Sequence, residues 1–176
     1  MFLGTPRGHK GVDDLVDAVG AIGGNVRLVV VGADAASEAG RRWSAHPWVR
    51  LVGEIPFDRV PQHLVAADVV AVPQRATSDT LGQVPAKIFD AMALGRPIVS
   101  TAVSMIPEIL DGCGVLVPPG DSVALAGALR RLLDDPASAA RRSGAARAAL
   151  PGSLQLRLGA RRCSPSSSGR WRRGPR

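Results

Sequence analysis

Short apolar runs alternate with amphipathic segments along the first 150 residues, and this alternation leaves few folds open. Phe2-Leu3-Gly4, Val26 to Val31, Val49 to Val52, Val69 to Val72, Ile98-Val99-Ser100 and Val115-Leu116-Val117 read as strands buried on both faces. Between them, helical periodicity places Val12, Leu15, Val16, Val19 and Ile22 on one face, and further helices are expected over Asp34 to His46, Phe57 to Ala67 and Ile106 to Leu110. A helix carrying Leu125, Leu129, Leu132 and Leu133 starts at a cap on Asp121 or Ser122, and Asp135-Pro136 opens an Ala-rich helix reaching about Leu150. Strands that alternate with helices predict an α/β fold: a doubly wound, Rossmann-like parallel sheet of about six strands with helices on both faces. Ligands of such sheets sit outside the carboxyl ends of the strands, which selects the loops at 5–11, 53–56, 74–83 and 101–107.

One stretch in that frame carries the most chemistry. Gly82 to Pro97 reads as a helix with Val84, Ile88, Phe89 and Met92 on one side and Lys87 and Asp90 on the other. Pro85 suits its first turn, and Gly95 with Pro97 stops it. It follows a strand and a loop containing Thr77, Ser78 and Gly82. A helix start with a cation and a carboxylate one turn in suits a ligand bearing phosphate and sugar hydroxyls: phosphate for Lys87 and the helix N-terminus, hydroxyls for Asp90. A plain surface ion pair is common on helices and worth little; position after a strand's carboxyl end favours the binding role.

Gly4-Thr5-Pro6-Arg7-Gly8-His9-Lys10-Gly11 is a second strand-to-helix loop, with two cations and several glycines. Its N–H groups, Arg7 and Lys10 could hold a diphosphate; an ordinary solvated basic loop fits equally well from the residues alone. It matches neither the P-loop nor the Gly-x-Gly-x-x-Gly pattern, and His9 reads as a loop residue. Ser100 to Glu108 is a third such loop, with Ser104 and Met105 before the helix; Glu108 reads as a first-turn acid favoured by the helix dipole.

Charge and cysteine usage bound the remaining possibilities. Residues 1–150 hold 15 Lys/Arg against 15 Asp/Glu, so the whole net charge of +7 belongs to residues 151–176, with seven arginines and no acid. The basic excess therefore says nothing about the partner of the folded part, and no nucleic acid is expected there. The segment 151–176 has the composition of a basic, disordered tail. Its abrupt start after an unfinished Ala-rich helix suggests, as a hypothesis, a slipped reading frame near codon 150 of a GC-rich gene; an alternative frame that restores no amphipathic helix would dispose of it. Met1-Phe2-Leu3 is too short for a signal peptide, and no apolar run approaches the roughly 20 residues a transmembrane helix needs. Cys113 and Cys163 have neither metal spacing nor disulfide density, so a cytoplasmic setting is expected. There is no Asp-x-Asp at a strand end, no zinc spacing and no Gly-x-Ser-x-Gly. The expected chemistry is departure of a phosphate group stabilised by Arg/Lys and helix dipoles, with no metal and no cofactor.

The order of these motifs resembles the C-terminal, donor-binding half of the family 4 (group 1) retaining glycosyltransferases of the GT-B fold. The resemblance rests on Gly4…Lys10-Gly11, Val52-Gly53-Glu54-Ile55-Pro56 and Ala67-Asp68-Val69-Val70-Ala71-Val72-Pro73. It continues in Pro85-Ala86-Lys87…Asp90-Ala91-Met92-Ala93…Gly95-Arg96-Pro97, Ile106-Pro107-Glu108-Ile109 and Val117-Pro118-Pro119-Gly120-Asp121. It spans roughly residues 1–149 and implies a UDP- or GDP-linked sugar as donor. Arg7 and Lys10 would contact the diphosphate with help from Lys87, beside Gly4 and Thr5, and Asp90 would accept hydrogen bonds from the ribose hydroxyls. The loop Gly53 to Ile55 would lie near the base, and the loop 101–106, with Ser104 and Met105, near the donor sugar. The sequence departs from the family where Gly82 occupies the first acidic place, Thr5 that of a frequent arginine, and Ser104-Met105 that of a Gly-Gly pair. The family also has an N-terminal acceptor-binding domain, which this chain is expected to lack. Rival readings are a non-hydrolysing UDP-sugar epimerase relative, a catalytically empty binding module or gene remnant, and a nucleic-acid binder resting on the tail. Any nucleic-acid binding, measured by a mobility shift, should vanish on deletion of residues 151–176.

Overall fold

The computed structural model describes residues 1–150; the expected tail, 151–176, lies outside them. Six parallel strands form two hydrogen-bonded ladders. β1 (Phe2–Leu3), β2 (Leu28–Val31) and β3 (Val49–Val52) pair in that order, as do β4 (Val70–Val72), β5 (Ile98–Thr101) and β6 (Val115–Val117). The start of the chain joins the two: the Met1 ammonium donates to Val69 O at 2.7 Å, and Ala71 N–H donates to Met1 O at 2.8 Å. β1 therefore lies beside β4, and the strands read 3-2-1-4-5-6 across the molecule, the doubly wound order.

Successive strand residues face opposite layers, as the two-residue period of a strand requires. Phe2, Val30, Ala71 and Val99 pack with α1 (Val12–Ile22) and α6 (Ser122–Asp134), along with Trp43. Leu3, Val31, Val70, Val72 and Ile98 pack on the other face with α3 (Val60–Ala66), α4 (Ala86–Ala93), α5 (Ile106–Ile109) and the end of α7 (Pro136–Ala148). Of the residues expected on one side of the helix from Gly82 to Pro97, Ile88 and Met92 are buried and Phe89 is half-buried on α4, while Val84, also half-buried, precedes it.

Three helices are shorter than the sequence suggests, each for a local reason. Of Gly82 to Pro97 only Ala86–Ala93 is helical, because Pro85 is an extended N-cap and not a first-turn residue. In the stretch expected as one helix from Asp34 to His46, only α2 (Glu38–Ser44) is helical. Asp34 Oδ1 accepts from Ala36 N–H at 2.8 Å in a turn, and the Ser37 hydroxyl caps α2 by accepting from Gly40 N–H at 2.9 Å. The expected helix from Phe57 to Ala67 divides into a 3₁₀ turn, Phe57–Arg59, and α3, because Pro61 in the first turn of α3 cannot donate backward. Asp121 rather than Ser122 caps α6, accepting from Ala124 N–H at 2.8 Å, and Asp135 caps α7 at 2.9 Å.

At the seam above β1 and β4, Gly11 has φ +64°, and a Cβ there would overlap Pro73 O. A side chain would thus strain the backbone and push the two loops apart. Gly11→Ala should lower unfolding free energy by at least ~2 kcal/mol in urea titration. Ile88→Ala, which empties a fully buried site, should cost about 2–5 kcal/mol.

Candidate functional site

The loops leaving β1 and β4 at their carboxyl ends meet at the point where the strand order reverses, where doubly wound sheets hold ligands. Lys87, in the first turn of α4, reaches back across that seam. Its Nζ donates to Leu3 O, at the last residue of β1, and sits 5.1 Å from the centre of the Phe2 ring. Gly4 makes room for the amine: with φ +123°, it occupies a conformation that side chains avoid, and a Cβ there would overlap Lys87 Nζ. Burial, and after it the charge of Lys10, pull the Lys87 pKa down to about 8 against the opposing pull of Asp90. Lys10 is itself lowered, first by burial and then by Arg7. Asp90 is raised by burial against the pull of Lys87.

Arg7, Lys10, Lys87 and Asp90 thus form one electrostatic group, although its ends lie far apart in the sequence. Its cations repel one another, and their shared preference is for an anion. Each comes from a distinct device. Arg7 precedes a 3₁₀ turn, Gly8–Lys10, whose end at Gly11 starts α1, and α4 presents Lys87 and Asp90 from one side.

The other sequence-selected residues take different positions. Gly82, with φ +74°, donates its N–H to Ser104 Oγ at 3.1 Å, which ties the β4–α4 loop to the β5–α5 loop. Ser104 has φ 54°, a left-handed conformation found at no other non-glycine residue among those described, so its hydroxyl serves loop geometry. Met105 follows with 52% of its surface exposed, on the same rim as Leu81. Thr5 is exposed beside Gly4. Gly53 and Ile55 follow β3, two strands from β1, and stand apart from the cation group: Gly53 O accepts from Gly32 N–H at 3.2 Å, and Ile55 is half-buried against the core. Glu108 lies in the first turn of α5.

Sequence reasoning passed over Arg75, Asp14, Thr80 and Gln74. Arg75 forms a two-point ion pair with Asp14, and the buried Thr80 hydroxyl donates to Arg75 O at 2.8 Å. Gln74 is 1% exposed; its backbone O accepts from Thr101 Oγ1 at 2.6 Å, and its side-chain Oε1 has no hydrogen-bond partner. Only Thr80 left a trace in the sequence, as the last residue of the polar turn Thr77-Ser78-Asp79-Thr80. The others depend on contacts between distant segments. Among the described residues no helix is long and apolar enough to cross a membrane.

Comparison with known proteins extends this geometry. The family described as "Glycosyl transferases group 1" matches residues 1–135. The D-inositol 3-phosphate glycosyltransferase of Xylanimonas cellulosilytica is 36% identical over 163 residues, covering 85% of this chain and 37% of that protein. The chain thus spans under two fifths of that relative's length. The C-terminal domain of the group 1 glycosyl transferase LpcC from Francisella tularensis superposes with a TM-score of 0.70 at 19% identity, covering 84% of this chain and 81% of that domain. Anabaena Alr3699/HepE in complex with UDP-glucose superposes with a TM-score of 0.73 at 22% identity, covering 90% of this chain and 46% of that one. The chain belongs to the group 1 glycosyltransferases, with the α/β architecture of a GT-B enzyme's C-terminal domain.

Proposed function

We propose that residues 1–150 are the donor-binding half of a retaining glycosyltransferase that takes a UDP- or GDP-linked sugar and uses no metal or cofactor. The observation that carries this reading is Lys87: an amine drawn out of water onto the end of β1, within the field of Lys10, beside a glycine that makes space for it. Burying a cation next to another is unfavourable unless an anion completes the group. Anabaena Alr3699/HepE, which shares the fold, was solved in complex with UDP-glucose, which agrees with a nucleotide-sugar donor.

In this reading Arg7 and Lys10 hold the diphosphate from the β1–α1 loop and Lys87 from below. Asp90 accepts hydrogen bonds from the ribose hydroxyls. The base lies toward Gly53–Ile55, and the sugar toward Gly82, Ser104 and Met105, beside Gly4 and Thr5. As the bond from the sugar's anomeric carbon to the β-phosphate oxygen breaks, negative charge grows on the diphosphate, where the lysines and Arg7 stabilise it most. In this reading residues 1–150 supply the donor side of the reaction, and the acceptor is presented by a separate domain. The reaction belongs in the cytoplasm, where nucleotide-sugars are made.

Calorimetric titration with UDP and GDP tests this reading. Lys10→Ala and Lys87→Met should each weaken binding at least about tenfold, the loss of one charge-assisted contact. Asp90→Asn should weaken UDP and GDP but leave inorganic pyrophosphate unaffected. Binding of neither nucleotide would reject the proposal. Lys87 also predicts a pH dependence. Its charged form attracts the diphosphate and, in the free protein, is lost as pH rises through about 8. Affinity should therefore fall about tenfold between pH 7 and pH 9, and Lys87→Met should flatten that slope.

A further inference from the structure

The loop that carries Lys10 and the loop that leads to Lys87 on α4 are fastened together by a pair that itself adds no net charge. Arg75 lies three residues beyond β4, and Asp14 lies in the first turn of α1, 61 residues earlier. Arg75 Nε donates to Asp14 Oδ2 at 2.9 Å and Nη2 to Oδ1 at 2.6 Å, a fork matched to a carboxylate. The Asp14 side chain is only 13% exposed. The backbone of Arg75 supports the same seam, donating its N–H to His9 O at 2.9 Å, and His9 Nδ1 lies 3.6 Å from Asp79 Oδ2.

We propose that Arg75 and Asp14 are a positioning pair that sets the approach of Lys10 to Lys87 and so raises affinity for the diphosphate of a nucleotide donor. This rests on the donor-binding reading above. Three observations lead to it. The cations repel across the seam: Lys10 lowers the Lys87 pKa, and Arg7 lowers that of Lys10, so their approach needs a contact that holds it. Arg75 and Asp14 neutralise each other, so the pair acts on the site through geometry and not through its field. The pair also lies between Gly11, which a side chain would force off Pro73 O, and the Thr80-stabilised turn leading to α4. Lysine at position 75 would keep the charge and lose the second bond.

The test uses the full 176-residue chain and the double variant D14N/R75Q, which removes the ion pair at constant net charge. Its affinity for UDP or GDP, whichever wild type binds, should fall about tenfold, the size of a strong pairwise coupling. In the ligand-free variant, the amides of Arg75, Lys10 and Gly11 should exchange hydrogen faster while those of Val30 and Val99 in the central strands do not. R75K, which disturbs folding less, should shift both readouts in the same direction by a smaller factor. If wild type binds nucleotide and loses it in Lys10→Ala, but D14N/R75Q leaves either affinity or loop exchange unchanged, the positioning pair is overturned and the donor reading stands. If wild type binds neither UDP nor GDP, both are overturned together.

Discussion

The adjacency of β1 and β4 is the constraint on which the site depends. Two hydrogen bonds through Met1 align these strands, and because both run parallel, their carboxyl ends open on the same edge. The loops that follow must then cross at close range. Glycine at positions 4 and 11 follows directly, since a side chain at either would occupy space already taken by Lys87 or by Pro73 O. The bond from Lys87 to Leu3 O closes the seam from α4.

That seam concentrates positive charge in a partly dry place. Lys87 loses hydration and gains in return one carbonyl, the face of Phe2 and a nearby carboxylate, none of which matches what water supplied. The opposite directions of the Lys87 and Asp90 shifts share one first cause, desolvation, with their mutual attraction opposing it in both. Such a group is poised for an anion in a way that the solvated ion pair between Arg42 and Glu38 on α2 is not. The same crowding explains why the surrounding loops are so heavily hydrogen-bonded, through Thr80, Ser104 and Arg75.

Much of this was legible in the chain itself. Short runs of valine and isoleucine between helical periodicities gave the parallel sheet, and Lys87 and Asp90 stood out because a helix places them one turn apart behind a strand. Boundaries were less legible where side chains compete with the helix: Asp34 and Ser37 bond to backbone ahead of α2, and Pro61 divides what hydrophobic spacing joins. Nothing in the sequence marks the left-handed torsion of Ser104 or its bond from Gly82, which joins two loops 22 residues apart.

Sequence alone determined the fold class and the strands, because apolar period and turn chemistry are local properties. The tertiary structure decided which loops meet. Arg75 and Asp14 carry no mark of each other across 61 residues, and neither Gly4 nor Phe2 announces that a lysine from α4 will rest against it. Those pairings arise only when β4 is laid beside β1, since the contacts that fix a binding site are set by strand order in space and not by order along the chain.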